Sequence, residues 1–153
     1  METSDRILKK ATVAFGESGY DSTSLDDLAR SLDIRKQSIL YHDASKELVL
    51  EACVRQAITD LSIALDEAIR KSSHGWERVE SIVKRVFRLA NNRPELLGLL
   101  REVTRLGPPI LTYAVDGIRP LLDGATMWLT EEMKAGRVRK SDPELLVLSA
   151  YST

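Results

Sequence analysis

The sequence predicts an all-α protein in which a three-helix head is followed by a longer helical body. Apolar residues recur at helical spacing through most of the 153 residues. No long alternation of β-branched and polar residues, the pattern of a half-buried strand, interrupts them. Breaks that contain glycine or proline divide the chain into segments of helix length, and only 5% of the residues are aromatic. Together these observations favour helix throughout.

The first helix is predicted from Ser4 to about Glu17, and Ser18-Gly19 ends it. Its apolar residues share one face, which is expected to brace the two helices that follow. Tyr20 is predicted to be a junction residue rather than a ligand contact, and Phe15 a core residue. The apolar face consists of Ile7, Leu8, Ala11, Ala14 and Phe15.

Two short helices joined by a tight turn are predicted between Ser24 and Lys46. The first carries an apolar stripe of Leu25, Leu28, Ala29 and Leu32. Ser24 is a candidate N-cap, and Asp27, three residues later, completes a capping-box pattern. Asp33 suits the turn because Asp tolerates the left-handed backbone conformation better than most residues.

The second of these helices is predicted to carry polar and basic side chains on its first turn, with Ile39 and Leu40 packing inward. This is the layout of a helix-turn-helix, whose second helix contacts base edges with its N-terminal residues. The predicted first turn consists of Arg35, Lys36, Gln37 and Ser38. The alternative is that these side chains are only the solvated face of a short helix.

The body is predicted to contain long helices separated by clear breaks. Ser45 can cap a helix that runs to about Lys71, long enough to connect the head to the body. Pro120 lies inside an apolar-rich segment, which therefore either kinks or divides into two helices near Arg119. Asp142-Pro143 opens a last apolar segment. The other helices are predicted at Trp76–Asn91, Glu95 to about Leu106, and Ile110–Ala135.

Composition limits the function without identifying it. The formal net charge is −1, so charge alone does not predict a nucleic-acid partner. Cys53 is the only cysteine and lies among apolar residues, so we expect a buried structural thiol rather than a redox sensor. The N-terminus lacks the apolar core of a signal peptide, and no run of about 18 apolar residues occurs. We expect a soluble cytoplasmic protein.

The run from Gly19 to Leu48 resembles the DNA-binding domain of TetR-type transcriptional regulators. The resemblance covers about the first third of the chain, and the later helices are only compatible with it. Its markers, taken together, are specific: Gly19-Tyr20, Thr23-Ser24, Leu28-Ala29, Ile34, Ser38-Ile39, Tyr41-His42 and Ser45-Lys46-Glu47.

The DNA contacts follow from the helix-turn-helix layout and this resemblance. Lys36, Gln37 and Ser38 are predicted to contact base edges, since Gln can pair with adenine and Lys can donate to guanine. Arg35 is predicted to contact either a guanine or a phosphate. Side chains that position the head on phosphates are expected at Ser24, Tyr41, His42 and Lys46.

The resemblance further implies a body that binds a small-molecule effector and forms a homodimer. It divides the chain into a DNA-binding domain at 1–46 and an effector-binding and dimerisation domain at 47–153. The second domain would be truncated at its C-terminus, because the apolar segment ending at Thr153 has no closing cap. Apolar and aromatic residues with a few polar groups are candidates for lining the pocket, although each also suits plain core: Phe87, Leu100, Thr104, Tyr113, Met127 and Trp128.

The predicted function is a DNA-binding regulator, most simply a repressor that an effector releases from a palindromic operator. No cofactor and no metal site is expected, since His42, His74 and Cys53 do not form a ligand set. No catalytic motif is present, so an enzyme is not expected.

Several positions depart from the family pattern, which suggests altered specificity or weaker DNA binding. Leu40 replaces a usual tyrosine, and Asp43 replaces a usual phenylalanine. Asp33, Arg35 and Gln37 stand where glycine, serine and glycine or proline are usual. These departures and the acidic flanks leave an alternative open. It is a helical small-molecule or protein-binding module whose head has lost DNA binding.

Overall fold

A computed structural model of the chain describes residues 2–72 and 74–145, and all regular secondary structure within these ranges is helical. The predicted all-α fold, with a helix-turn-helix head and a helical body, is confirmed. The helices in chain order are α1 Thr3–Ser18, α2 Leu25–Ser31, α3 Lys36–His42, α4 Lys46–Arg70, α5 Gly75–Asn92, α6 Glu95–Leu106 and α7 Ile110–Lys134. None of the helices in the described ranges has both the length and the apolar character needed to cross a membrane.

The head is built around the apolar face of α1, as the sequence predicts. Phe15 and Ala11 are fully buried, and Ile39 of α3 packs into the same core. Tyr20 is half-buried at the end of α1, with its ring centroid 5.4 Å from that of Phe15. The expected core and junction roles of these two aromatic residues are confirmed.

The turn between α2 and α3 has the backbone conformation that its sequence predicts. Asp33 adopts a positive φ of 55°, which is uncommon outside glycine, asparagine and aspartate. At the start of α2, the Ser24 hydroxyl accepts a hydrogen bond from the Asp27 backbone N–H at 3.0 Å. The N-cap is therefore confirmed, and the Asp27 carboxylate accepts a bond from Arg30.

The helix α4 connects the head to the body. Ser45 caps it by accepting from the Leu48 backbone N–H at 3.2 Å, and its 25 residues span roughly 37 Å. Its first half buries Val49 and Cys53 in the core shared with the head, and in its second half Glu67 accepts a hydrogen bond from Arg85 of α5 at 2.6 Å. The predicted connector is confirmed, whereas the proposed domain boundary at residue 46 remains a prediction.

The helix α7 is continuous through Pro120, which resolves the alternative that the sequence left open in favour of one helix. Its C-terminal end is joined to the start of α5 by Glu132. That carboxylate is almost fully buried and accepts from the Gly75 backbone N–H at 3.0 Å and from Arg137 Nε at 2.7 Å. Beyond α7, Asp142 caps the next turn by accepting from the Glu144 backbone N–H. The apolar segment that was predicted to follow lies largely outside the described residues.

The helix α6 packs directly along α1, a contact that the sequence analysis did not anticipate. Gly16 of α1 and Gly98 of α6 meet at this crossing. A Cβ atom added to Gly98 would lie 2.9 Å from the Cα of Gly16, closer than real Cβ contacts allow. The body therefore contacts the head through α6 as well as through the connector α4.

Candidate nucleic-acid interface

The start of α3 presents its polar side chains to solvent while Ile39 fixes the helix from below. Ile39 is 0% exposed, and Leu40 is half-buried against the same core. Lys36 and Gln37 are exposed on the first turn of the helix. Arg35 is exposed as well, but it is the N-cap with an extended backbone, so its predicted place in the first helical turn is wrong by one residue. A short helix anchored by one buried side chain thus exposes three donors at its N-terminal end.

The charge at this surface is partly balanced by α2. Lys36 Nζ lies 3.5 Å from Asp26 Oδ2, and both side chains are well exposed. An exposed ion pair of this kind contributes at most about 1 kcal/mol, because water and salt screen it. Lys36 can therefore leave Asp26 for a base edge at small cost.

The end of α3 carries an aromatic pair. Tyr41 is 86% exposed, and its ring meets that of His42 edge-on with centroids 5.4 Å apart. Its exposure leaves the Tyr41 hydroxyl open to solvent on the same short helix as Lys36 and Gln37, consistent with the phosphate contact that the sequence predicts. Ser38 is half-buried, and its backbone N–H donates to the Arg35 carbonyl at 2.9 Å.

The two remaining predicted phosphate contacts lie at helix starts and are already engaged within the chain. The Ser24 hydroxyl caps α2, as described above. The ammonium of Lys46 sits 4.2 Å from the centroid of the Tyr20 ring, a distance typical of a cation–π interaction. Tyr20 in turn donates its backbone N–H to Glu102 Oε1 at 2.7 Å.

Sequence reasoning missed Glu102, which holds the backbone of Tyr20 next to Lys46. No sequence motif singles it out, yet its side chain is buried where α6 meets α1. Hydrogen bonds from Arg105, and then from the backbone of Tyr20, lower the pKa of this carboxyl group, outweighing its desolvation. The sequence does contain a signal for this burial: Glu102 lies on the same helical face as the apolar residues Leu99 and Leu106.

The structure does not gather the candidate pocket residues into one enclosed cavity. Phe87 and Met127 are 67% and 69% exposed, and Leu100 and Thr104 are also exposed. Tyr113 is half-buried, with its hydroxyl 3.4 Å from an Arg55 nitrogen. Their role as pocket lining stays a prediction.

Trp128, the remaining candidate, is half-buried beside a residue that the sequence analysis did not single out. Its indole N–H is buried without an acceptor, as is Nε of Arg78. The Arg78 guanidinium lies 5.7 Å from the Trp128 ring. Arg78 belongs to α5 and Trp128 to α7, so the two helices approach each other at this half-buried pair.

Two open clefts lie beside the contact between α1 and α6, and none of the predicted pocket residues lines either. The larger, of about 520 Å³, is lined mainly by the end of α1, the loop after it and α6, including Arg101 and Arg105. The smaller, of about 390 Å³, lies between α1 and α4 and includes Cys53. Burial raises the pKa of the Cys53 thiol to about 12, which supports the predicted structural role.

These features define a class of protein: a helix-turn-helix head mounted on a helical body. Residues 7–53 match the sequence model of the family described as "Bacterial regulatory proteins, tetR family". The match covers the head of this chain, and the resemblance drawn from the sequence is confirmed.

Curated relatives match the head closely and the whole chain more distantly. The biofilm operon icaADBC negative transcriptional regulator IcaR of Staphylococcus aureus is 45% identical over 51 residues, which are 33% of this chain and 27% of IcaR. The chain thus matches about a quarter of the length of IcaR. The transcriptional regulator RutR of Escherichia coli K12 is 24% identical over 148 residues, covering 96% of this chain and 69% of RutR.

Solved structures share the fold over nearly the entire chain. The TetR family regulator PfmR of Thermus thermophilus superimposes with a TM-score of 0.84 at 24% identity, covering 99% of this chain and 82% of PfmR. AibR, in a complex with isovaleryl coenzyme A and operator DNA, gives a TM-score of 0.83 at 18% identity and covers 99% and 83% of the two chains. At these identities the likeness establishes the fold of the body and not its ligand.

Proposed function

We propose that this chain is a DNA-binding transcriptional regulator, acting as a repressor that a small-molecule effector releases from its operator. The observation that carries the proposal is the exposed start of α3. There Arg35, Lys36 and Gln37 face solvent while Ile39 is buried beneath them. Such a helix end fits the major groove of a duplex, where base edges present distinct donors and acceptors.

Within this proposal the polar side chains divide into two groups by chemistry. Gln37 offers both a donor and an acceptor to adenine, and Lys36 donates to guanine. Ser38 contributes a further base-edge contact, and Arg35 reaches a guanine or a phosphate. The phosphate contacts, which orient the head without reading sequence, are assigned to Ser24, Tyr41, His42 and Lys46.

We propose further that the protein acts as a homodimer in the cytoplasm and has no enzymatic role. Two heads would occupy half-sites of a palindromic operator about 34–36 Å apart, one helical turn of DNA. The effector must bind the DNA-free state more tightly than the DNA-bound state, because affinity alone shifts no equilibrium. AibR, whose structure contains both isovaleryl coenzyme A and operator DNA, supports a ligand-responsive scheme for this fold.

The domain organisation of the proposal keeps 1–46 as the DNA-binding domain and 47–153 as the effector-binding and dimerisation domain. The named relatives IcaR and RutR are transcriptional regulators, which supports a regulatory rather than an enzymatic role. The candidate effector pocket stays with the aromatic and apolar residues of α5, α6 and α7.

Selection of bound duplexes from random DNA tests this function most directly. We expect recovered sites with two inverted half-sites, and binding that weakens steeply as salt rises, since phosphate contacts release counterions. Recovery of no preferred sequence, together with salt-insensitive or absent binding, would contradict the proposal.

The alternative, a helical small-molecule or protein-binding module without DNA binding, has two structural observations in its favour. Asp26 pairs with Lys36 on the surface that would face DNA, and Asp43 follows α3 directly. An intact, folded protein that binds no duplex in a mobility-shift assay would favour this alternative.

A further inference from the structure

We propose that Glu102 of α6 is a positioning residue for DNA binding, acting through Tyr20 on the phosphate-binding Lys46. The proposal rests on the proposed function, since it concerns how the head presents one of its cations to DNA. It goes further by giving a residue of the body a defined part in DNA affinity.

The first link is the hydrogen bond between the body and the loop after α1. Glu102 is only 8% exposed, and its Oε1 accepts from the Tyr20 backbone N–H at 2.7 Å. Arg105 holds the same carboxylate with two hydrogen bonds of 2.7 and 3.0 Å, and it also reaches Asp21 Oδ2 at 3.1 Å. Because these donors lower the pKa of Glu102, the carboxylate stays charged at neutral pH and keeps its hold on the loop.

The second link runs from the Tyr20 backbone to its ring. Phe15 lies against this ring with centroids 5.4 Å apart, and Phe15 itself is completely buried. Gly19, with a φ of 86°, turns the chain sharply before Tyr20, so the loop takes a conformation that most residues would not adopt. Phe15 on one side and Glu102 at the backbone therefore determine where the ring stands.

The third link is the contact between the ring and Lys46. The ammonium lies 4.2 Å from the ring centroid, where the negative face of the aromatic ring attracts it. A lysine side chain free in solvent loses conformational entropy when a phosphate immobilises it. An ammonium already held over a fixed ring loses less of this entropy on binding, so its contact with phosphate is more favourable.

A purely structural role for Glu102 makes a different prediction from a positioning role. If Glu102 only stabilised the fold, its loss would reduce the fraction of competent protein and leave the salt dependence of binding unchanged. If it positions Lys46, its loss removes one phosphate contact from a fraction of the complexes, because the ammonium is no longer held where the phosphate binds. The slope of log K against log salt concentration then becomes shallower by up to about 0.9, the value for one contact on duplex DNA.

The experiment measures binding of the full chain to a random-sequence duplex across a series of salt concentrations. We expect Lys46→Ala and Glu102→Leu each to give a shallower slope, and the double variant to be no shallower than Lys46→Ala alone, because the two act on the same contact. Glu102→Gln keeps an acceptor for the Tyr20 N–H and should stay close to the unmodified protein. Glu131→Gln removes one negative charge from the exposed side of α7 and controls for the change in net charge.

The outcomes separate this proposal from the function on which it rests. Salt-insensitive or absent binding by the unmodified protein contradicts the proposed function itself. A shallower slope for Lys46→Ala with an unchanged slope for Glu102→Leu overturns the positioning role and leaves DNA binding intact.

A second variant keeps the test decisive if Glu102→Leu fails to fold. Tyr20→Leu removes the ring beneath Lys46 while leaving the backbone N–H that Glu102 accepts. It should reproduce the shallower slope, and an unchanged slope would overturn the proposal equally. Far-UV circular dichroism identifies which variants are folded.

Discussion

Gly98 of α6 faces Gly16 of α1 so closely that a Cβ atom on Gly98 would lie 2.9 Å from the Gly16 Cα. The neighbouring atoms are all backbone, so neither helix can yield by rotating a side chain. We expect Gly98→Ala to separate the two helices and to lower the free energy of unfolding by about 1–3 kcal/mol, the usual cost of overpacking. Urea unfolding followed by circular dichroism measures it.

Gly124 provides the matched control for this substitution. It lies within α7, is exposed, and has nothing within 4 Å of its added Cβ. Gly124→Ala should be neutral or stabilising by up to about 1 kcal/mol, because alanine is the better helix former. Equal effects of the two substitutions would show that helix propensity, not the approach of α1 to α6, determines the result.

Within the regulator proposal, substitutions of Gln37 and Lys46 should change DNA binding in different ways. Gln37→Ala removes a side chain assigned to a base edge, so the preference at one base position should relax, with a loss of about 1–3 kcal/mol for the preferred site. Lys46→Ala removes a phosphate contact and should weaken all sequences to a similar extent. Binding to a panel of single-base variants of a selected site distinguishes them, and uniform loss for both would refute this division of roles.

The head could be predicted from sequence because its signals are local. Ser24, Asp33 and Ser45 each act within a few residues of their own position, as two helix caps and one left-handed turn residue. The start of α3 was predicted one residue too early, at Arg35, because apolar spacing does not locate the first residue of a helix. A residue with an extended backbone directly before a helix leaves no mark in the apolar spacing.

The contact between head and body could not be predicted in the same way, because it depends on residues far apart in the chain. Glu102 and Tyr20 are separated by 82 positions, and nothing near Glu102 identifies which backbone N–H it accepts. An acidic residue on an apolar helix face does indicate a buried partner, so the sequence can predict that Glu102 is paired but not with which residue. Gly16 and Gly98 have no side chains, so the apolar pattern of the sequence does not predict that they meet.

Cys53 should react with thiol reagents only when the protein unfolds. It is 1% exposed, and burial raises its pKa to about 12, so the reactive thiolate is scarce at neutral pH. We expect iodoacetamide to label the native protein very slowly and the urea-unfolded chain rapidly at this one cysteine. Mass spectrometry counts the label, and fast labelling of the folded protein would contradict the structural role.

Glu132 should make the stability of the body depend on pH in the acid range. Hydrogen bonds from Arg137, and then from the Gly75 backbone, lower the pKa of its carboxyl group, outweighing the effect of burial. A group whose pKa is lowered by folding stabilises the protein above its unfolded pKa of about 4.3, and that contribution is lost as pH falls through the folded value. Glu132→Gln should therefore be less stable than the unmodified protein at neutral pH, and the difference should shrink below about pH 4.

Urea unfolding at a series of pH values measures this difference. His74, whose Nδ1 lies 3.7 Å from Glu132 Oε1, and Arg137 are the same in every variant, so the comparison runs from neutral to acid pH. Glu131→Gln changes the neighbouring, exposed carboxylate and serves as the control. The pKa of Glu102 is also lowered, but Glu102 is the same in every variant, so its effect on stability cancels from the differences. A stability difference that stays constant as pH falls would show that shape, not charge, determines the role of Glu132 at the end of α7.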